Sequence, residues 1–296
     1  MLFHMQAVQV RPAQESDRLS LSHLFQFEPY LYRHLDWKRP LDWLGETPFI
    51  VAEFRSRLVA ALACPPDPPG VAWLRVFAAS NQVRLERVWR LLWETAHQDL
   101  STQGPVQIAA LCSEGWMQKL LLGSGFRQTQ TVVLLSWDQT SPLSLPRFPL
   151  RPRAMRLEDL PQVTNLDWAC FEPLWRNSHT ALEIAFQQAV FATVFEDEQG
   201  IVGYQISTPS AQGGHLARLA VHPRGQGLGL GYALVYDLLM RFIQHRTSIA
   251  PIRVTVNTQA DNQASLAVYR KANFIQTGIQ YPVYLSSDAG PVDPDT

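Results

Sequence analysis

The sequence predicts an α/β chain of the α+β kind: two tandem domains, each a mixed, mostly antiparallel sheet flanked by helices. Three observations carry this. One order of apolar segments, β-α-α-β-β-β-α-β-α-β-β, occurs twice, with a spacing of roughly 140–150 residues, too long for a solenoid repeat. The stretch between the two copies, DQTSPLSLPRFP, holds Pro142, Pro146 and Pro149 and has no periodicity, which is linker chemistry. The chain has 296 residues, 46% of them hydrophobic, enough for two cores. The expected boundaries are a first domain at 1–138, a linker at 139–150 and a second domain at 151–296.

In the first half, residues 7–13 read as a strand, and Asp17 as the cap of a helix through Leu24 and Phe25. Residues 30–44 are aromatic and irregular, helical in pieces. Residues 49–54 and 58–64 are apolar runs around Arg55-Ser56-Arg57, a hairpin pattern. PPDPPG at 65–70 must be a loop. Then follow a strand at 71–78, an amphipathic helix at 83–100, a strand at 106–112 and a short helix at 116–122 closed by Gly123 and Gly125. Residues 126–137 read as two strands or one bent one.

The second half repeats the order: a short strand at 154–156, a helix opened by Glu158 and Asp159, a break at 171–175, and a helix capped by Ser178 and running to 190. Strands at 191–195 and 201–207 flank the turn Asp197-Glu198-Gln199-Gly200. Strands at 215–221 and 252–257, a helix at 262–272, and a final strand pair at 274–279 and 281–285 complete the copy.

The stretch HLARLAVHPRGQGLGLG, residues 215–231, is the most informative. An apolar strand ends at Pro223. Glycines then alternate at Gly225, Gly227, Gly229 and Gly231, and an apolar-striped helix follows. Strand, glycine turn, helix is the order that offers free backbone N–H groups and a positive dipole end to an anion. Glycine lets a phosphate approach the backbone without meeting a Cβ. The spacing fits neither the dinucleotide fingerprint nor a P-loop.

This stretch resembles the acyl-CoA signature of the GNAT (GCN5-related N-acetyltransferase) superfamily: V-x-P, then Q/R-x-x-G-x-G/A. Val221, Pro223, Gln226, Gly229 and Gly231 carry the resemblance. A second signature, N-x-x-(A/S)-x-x-x-Y with a glycine and Phe beyond, is matched by Asn262, Ser265, Tyr269 and Phe274, with Asn273 in the glycine's place. Asn tolerates the left-handed conformation that position requires. Order and motif cover the second half; the first half is covered by order only.

The resemblance implies an acetyl-CoA-dependent N-acyltransferase, with acetyl-CoA or another short acyl-CoA as co-substrate and an amine as acceptor, a small molecule or a peptide or protein N-terminus. It implies that the strand edge at Leu219, Ala220 and Val221 polarises the thioester carbonyl. The N–H groups of Gln226, Gly227, Leu228, Gly229, Leu230 and Gly231 would take the pyrophosphate, and a side chain at Gly229 would block the approach. Asn262 and Ser265 lie on the helix face that meets the pantetheine, and Tyr269 protonates the leaving thiolate. Transfer is direct, in a ternary complex, because no Cys or Ser nucleophile with a neighbouring base is visible.

The general base stays open. The stretch 267–274 also resembles the ribosomal-protein N-terminal acetyltransferases, which carry a glutamate on the fifth strand. The aligned residue here is Asn257. His215, Glu172 and a water relay are the alternatives. Deprotonating a lysine at pH 7 costs about 4–5 kcal/mol and an α-amine about 1 kcal/mol, so a site without a base favours the low-pKa amine. The missing base also leaves a second class in play, a CoA-binding regulatory or scaffold protein without turnover.

The first half lacks this chemistry. After residues 75–78 the chain reads Ala79-Ser80-Asn81-Gln82, with no glycine turn, and its short last helix has no tyrosine. It reads as a degenerate copy. Seven of the nine tryptophans fall in 37–137; they serve packing, or Trp37, Trp43, Trp168 and Trp175 line an acceptor pocket.

Net charge is −1, with no basic run, which gives a nucleic-acid partner no support. No apolar run reaches membrane-span length and the start lacks a leader pattern. Cys64, Cys112 and Cys170 are far apart, neither a metal cluster nor a disulfide framework. No metal and a cytoplasmic location are expected; oligomeric state is unreadable.

Overall fold

The computed structural model describes residues 8–138, 143, 151–211, 213–245 and 251–287. All of the expected linker except residue 143 lies outside the described residues. The chain divides into two compact units, residues 1–129 with 282–296, and residues 130–281.

In unit 1, β1 (Gln9–Pro12), β3 (Phe49–Phe54), β4 (Arg57–Ala63), β6 (Val76–Ala79) and β2 (Tyr30–Arg33) form an antiparallel sheet in that spatial order. Both faces are covered, so β3 is apolar over Phe49–Ala52: Phe49 and Val51 face α1 (Arg18–Phe27), and Ile50 and Ala52 face α2 (Leu85–Ser101). The strand expected at 71–78 is broken. β5 (Val71–Trp73) pairs in parallel with β7 (Gln107–Leu111), whereas β6 pairs with β4 and β2. The chain changes partners at Leu74, whose N–H goes to Ala109 O, and Arg75, whose N–H goes to Ala63 O. Helix α3 (Gly115–Gly123) follows. The irregular segment expected at 30–44 contributes β2 and a single 3-10 turn at Pro40–Trp43.

In unit 2, β9 (Arg153–Ala154), β10 (Phe191–Asp197), β11 (Gly200–Ser210) and β12 (Gly213–Val221) are antiparallel neighbours, and β13 (Arg253–Gln259) runs parallel to β12. Helices α4 (Leu160–Cys170) and α6 (Leu230–Gln244) both pack on β11 and β12. They take opposite faces: Tyr204 bonds Asp167 of α4, while the adjacent Gly203 lies against Leu234 of α6. Helix α5 (His179–Gln187) is capped by Ser178, whose Oγ accepts from Ala181 N at 3.0 Å. It stops short of the expected residue 190, because Val190 N–H already pairs with Ser207 O. Helix α7 (Gln263–Lys271) packs against α6.

The segments at 126–137 and 274–285 are each one long strand, β8 (Phe126–Asp138) and β14 (Ile275–Ser286). Their residues are shared out. Residues 132–138 of β8 lie in unit 2, antiparallel to the whole of β13, and Val133, Leu135 and Trp137 enter its core. Residues 283–285 of β14 lie in unit 1, antiparallel to β7, and Tyr284 enters that core. Each unit is therefore completed by residues from the other half of the sequence.

Asp17 does not cap α1. Its carboxylate accepts from Gln14 N at 2.8 Å and pairs with Arg11, which also reaches Glu53 at 2.6 Å. Unit 2 repeats this with Arg153, Asp159 and Glu196. The same triad in both copies ties the first strand to the first helix and the hairpin.

A fragment of residues 151–296 lacks the strand that pairs with β13. It should fail to melt cooperatively by circular dichroism, whereas a fragment of residues 130–287 should recover a transition.

Candidate active site

The site is set by where a strand pair ends. β12 and β13 pair only over Gly213–Leu216 and Arg253–Val256. A bulge follows on β12: Ser207 faces Leu216 and Ile206 faces Arg218, leaving Ala217 extra. From residue 217 to 221, β12 keeps β11 on one side; among the described residues no strand pairs with its other edge. Leu219, Ala220 and Val221 lie on this open edge.

The chain then turns through Pro223–Gly225 into α6. The four glycines do different jobs. At Gly225 a Cβ would stand 2.7 Å from Val202 and 2.8 Å from Leu230, so this one is needed for packing. Gly227 and Gly229 have φ of +79° and +86°, and a Cβ on either would meet only open space. The backbone conformation requires glycine there, and the space beside it is free for a ligand. Gly231 faces α7, where a Cβ would make an ordinary contact with Val268 at 3.5 Å. The N–H groups of Leu230 and Gly231 are first-turn donors with no partner inside the helix. Gln226 differs from expectation. Its N–H already donates to Pro223 O at 3.3 Å, and its side chain folds back to Val221 O at 3.1 Å.

On α7, Asn262 is the N-cap: its Oδ1 accepts from Ser265 N at 3.0 Å. That oxygen is engaged, which leaves the amide group of Asn262 as the donor toward a ligand. Tyr269 is buried, 5.7 Å from Phe274 between ring centres. Burial raises its phenol above the ordinary value, with the Arg218 charge acting in the opposite sense. Asn273 has φ +62°, and Phe274 N–H reaches back to Tyr269 O at 2.9 Å, a helix stop of the kind glycine usually makes.

The base candidates are placed as follows. His215 is not a solvated strand end. It is largely buried, its Nδ1 lies 2.9 Å from Thr255 Oγ1, and burial lowers its pKa, so it is neutral at pH 7. Glu172 is exposed. Asn257 Oδ1 is buried without a hydrogen-bond partner. Trp43 is core, beneath the cations of Lys38 and Arg75, and Trp168 Nε1 donates to Asn177 O at 2.7 Å.

One group of residues was missed from sequence. Asp167 is fully buried and accepts both forks of Arg218, at 2.7 and 2.9 Å, and the Tyr204 hydroxyl at 2.5 Å. Burial opposes the Arg218 charge, but Asp167 outweighs it and the guanidinium pKa is raised. A trace was present: Arg218 interrupts the apolar run LARLAV, and Asp167 interrupts the stripe of α4.

Unit 1 answers the same edge differently. β6 occupies the place of the open part of β12, and β2 pairs along it: Tyr30 with Ala79, Leu31 with Ala78, Tyr32 with Phe77, Arg33 with Val76. The Tyr32 hydroxyl donates to Leu111 O on β7 at 3.1 Å, and His34 N–H to Arg75 O. The chain fills with its own strand the gap that unit 2 leaves open. Where unit 2 has its glycine turn, Ser80 Oγ accepts from Gln82 N.

A strand edge left unpaired by a bulge, next to a glycine turn and a helix start, defines an acyltransferase-type fold. Residues 160–274 match the model of the Acetyltransferase (GNAT) family. The matched residues all lie in unit 2, and the chain as a whole shares its fold with tandem GNAT structures. Solved structures agree in fold along the chain. A GCN5-related N-acetyltransferase from Sphaerobacter thermophilus has a TM-score of 0.62 at 14% identity, covering 97% of each chain. A tandem GNAT protein from the clavulanic acid biosynthesis pathway has 0.64 at 15%, covering 97% of this chain and 100% of its own. A putative acetyltransferase from Pyrococcus horikoshii has 0.58 at 13%, covering 97% and 92%. No curated protein matches the sequence. Among the described residues no helix is long and apolar enough to cross a membrane.

The glycines separate by experiment. Gly225→Ala should destabilise unit 2 by about 1–3 kcal/mol in urea denaturation, through overpacking. Gly227→Ala meets no atoms and should cost only the left-handed backbone penalty, about 1–2 kcal/mol.

Proposed function

We propose that the protein is an N-acetyltransferase that moves an acetyl group from acetyl-CoA to an amine in a ternary complex. The open edge of β12 beside the glycine turn is the observation that supports this best. An extended pantetheine has the length and polarity of a strand, and the 217–221 edge has backbone groups left to pair. The open space at Gly227 and Gly229 suits a pyrophosphate, with the first-turn N–H groups of α6 as donors. Acetyl-CoA supplies the activated acyl group. The strand edge at residues 219–221 orients and polarises its carbonyl, and Asn262 bonds the arm.

Tyr269 is the proton donor to the departing thiolate. Its raised pKa keeps it protonated throughout the working range, as a donor requires. No carboxylate replaces the family's glutamate at Asn257. A water relay, with neutral His215 as the one imidazole on β12, fits an acceptor whose amine is already partly deprotonated, such as an α-amine. The first unit contributes no second acyl-CoA site, because β2 holds the corresponding edge. A cytoplasmic location belongs to the same proposal.

Titration calorimetry with acetyl-CoA should give one site per chain, lost in Gly229→Trp. Two sites would refute the assignment of unit 1, and none would refute the acyltransferase. In an amine screen for CoA release, Tyr269→Phe should lower kcat roughly 10²-fold with KM little changed.

The alkaline side tests Tyr269 separately. A phenol at the ordinary value of 10.0 would lose its proton as pH passes 10; one raised by burial would not. The kcat of the wild type should therefore show no alkaline fall before pH 10. A fall with a midpoint below that would remove Tyr269 as the donor.

A further inference from the structure

The segment 171–178, between α4 and α5, has one 3-10 turn at Pro173–Trp175 and otherwise no regular structure. It is nonetheless fixed to β12 at several points. Arg218, the first residue beyond the bulge, donates through Nη2 to Trp175 O at 2.7 Å, and its guanidinium lies 3.5 Å above the centre of the Phe171 ring. Asp167, which holds Arg218, also accepts from Asn177 N at 3.1 Å. Just before the segment, Cys170 Sγ donates to Val221 O at 3.3 Å, on the open strand. Within it, Arg176 Nε closes on Phe171 O at 3.1 Å.

A buried ion pair is a weak device for stability alone; apolar side chains of the same volume usually do as well. What a bidentate carboxylate and guanidinium provide is direction. Here the pair, with the Tyr204 hydroxyl, fixes β11, β12, α4 and both ends of the 171–178 segment around one point. That point lies on the strand whose other edge is unpaired.

We propose that Arg218, Asp167 and Tyr204 form a clasp that holds residues 171–178 as the rim of the open strand, and that this rim positions the amine acceptor. The three are positioning residues; none needs to touch the reacting atoms. The proposal deepens the acyltransferase reading and rests on it. Weakening the clasp loosens the rim on the acceptor side and leaves the glycine turn and α7, which hold acyl-CoA, as they are.

The test uses the full chain and two variants. Tyr204→Phe removes one hydrogen bond to Asp167 and keeps the ring; Arg218→Lys keeps the charge and loses the fork. Three quantities are measured: the Kd of acetyl-CoA by calorimetry, the KM of each substrate, and the rate at which N-ethylmaleimide labels each cysteine, read by peptide mass spectrometry. Cys170 reports on the clasp directly, since it is bonded to Val221 O and its thiol pKa is pushed up to about 11 by burial.

In Tyr204→Phe the acceptor KM should rise roughly three- to tenfold, the size of one lost hydrogen bond of ordinary strength. The acetyl-CoA Kd should stay within about twofold, and Cys170 should label faster while the buried Cys64 and Cys112 do not. Arg218→Lys should move the same three quantities further. A parallel loss of acetyl-CoA affinity, or equal acceleration at all three cysteines, would overturn the clasp in favour of general destabilisation. Unchanged Cys170 labelling in both variants would also overturn it. Lack of turnover by the wild type with every amine would instead strike the acyltransferase reading, and the labelling rates would still decide whether the clasp exists.

Discussion

Every strand that stops pairing must find partners for the N–H and C=O groups on its free edge. Buried backbone groups without partners are rare, and a free edge is a template for any extended chain. The two copies meet this constraint differently. In unit 1 the edge of β6 is paired by β2. In unit 2 the bulge at Ala217 turns β12 away from β13, and the edge is left for something else. The glycine turn and the start of α6 follow directly from that edge, and the helix carrying Tyr269 packs against α6.

The framework around the edge has been kept in both copies. Arg11, Asp17 and Glu53 in unit 1 match Arg153, Asp159 and Glu196 in unit 2, residue for residue. These pairs are partly exposed, and each contributes little to stability. Their recurrence shows that the two units are built on one local plan. The change in unit 1 is thus local: a strand in the gap, a serine turn in place of glycines, and no tyrosine on α3.

Sequence alone shows the duplication, the hairpins and the glycine turn, because periodicity and turn chemistry are local properties. It shows Ser178 as a cap and Asn273 in a left-handed stop for the same reason. It misplaces what depends on distant partners. Residues 71–78 read as one apolar strand, yet they break at Leu74 because the two ends find different neighbours. Residues 126–137 and 274–285 read as the ends of separate domains, yet each completes the other half, and no local pattern encodes that exchange. Asp17 has a cap's composition, but Arg11 claims it. The clasp leaves only a faint trace for a related reason: Arg218 and Asp167 each interrupt an apolar pattern, but they and Tyr204 are far apart in sequence and nothing local pairs them.

A slot closed by the chain itself and a slot left for a ligand differ in what sets their stability. β2 is present at a fixed effective concentration, so unit 1 is as stable in a starved cell as in a fed one. On the acyltransferase reading, unit 2 gains stability with free ligand, by about 2.7 kcal/mol at a hundredfold excess over Kd. One half of the polypeptide is then constitutively complete, while the lifetime of the other against unfolding and proteolysis follows the supply of activated acyl groups.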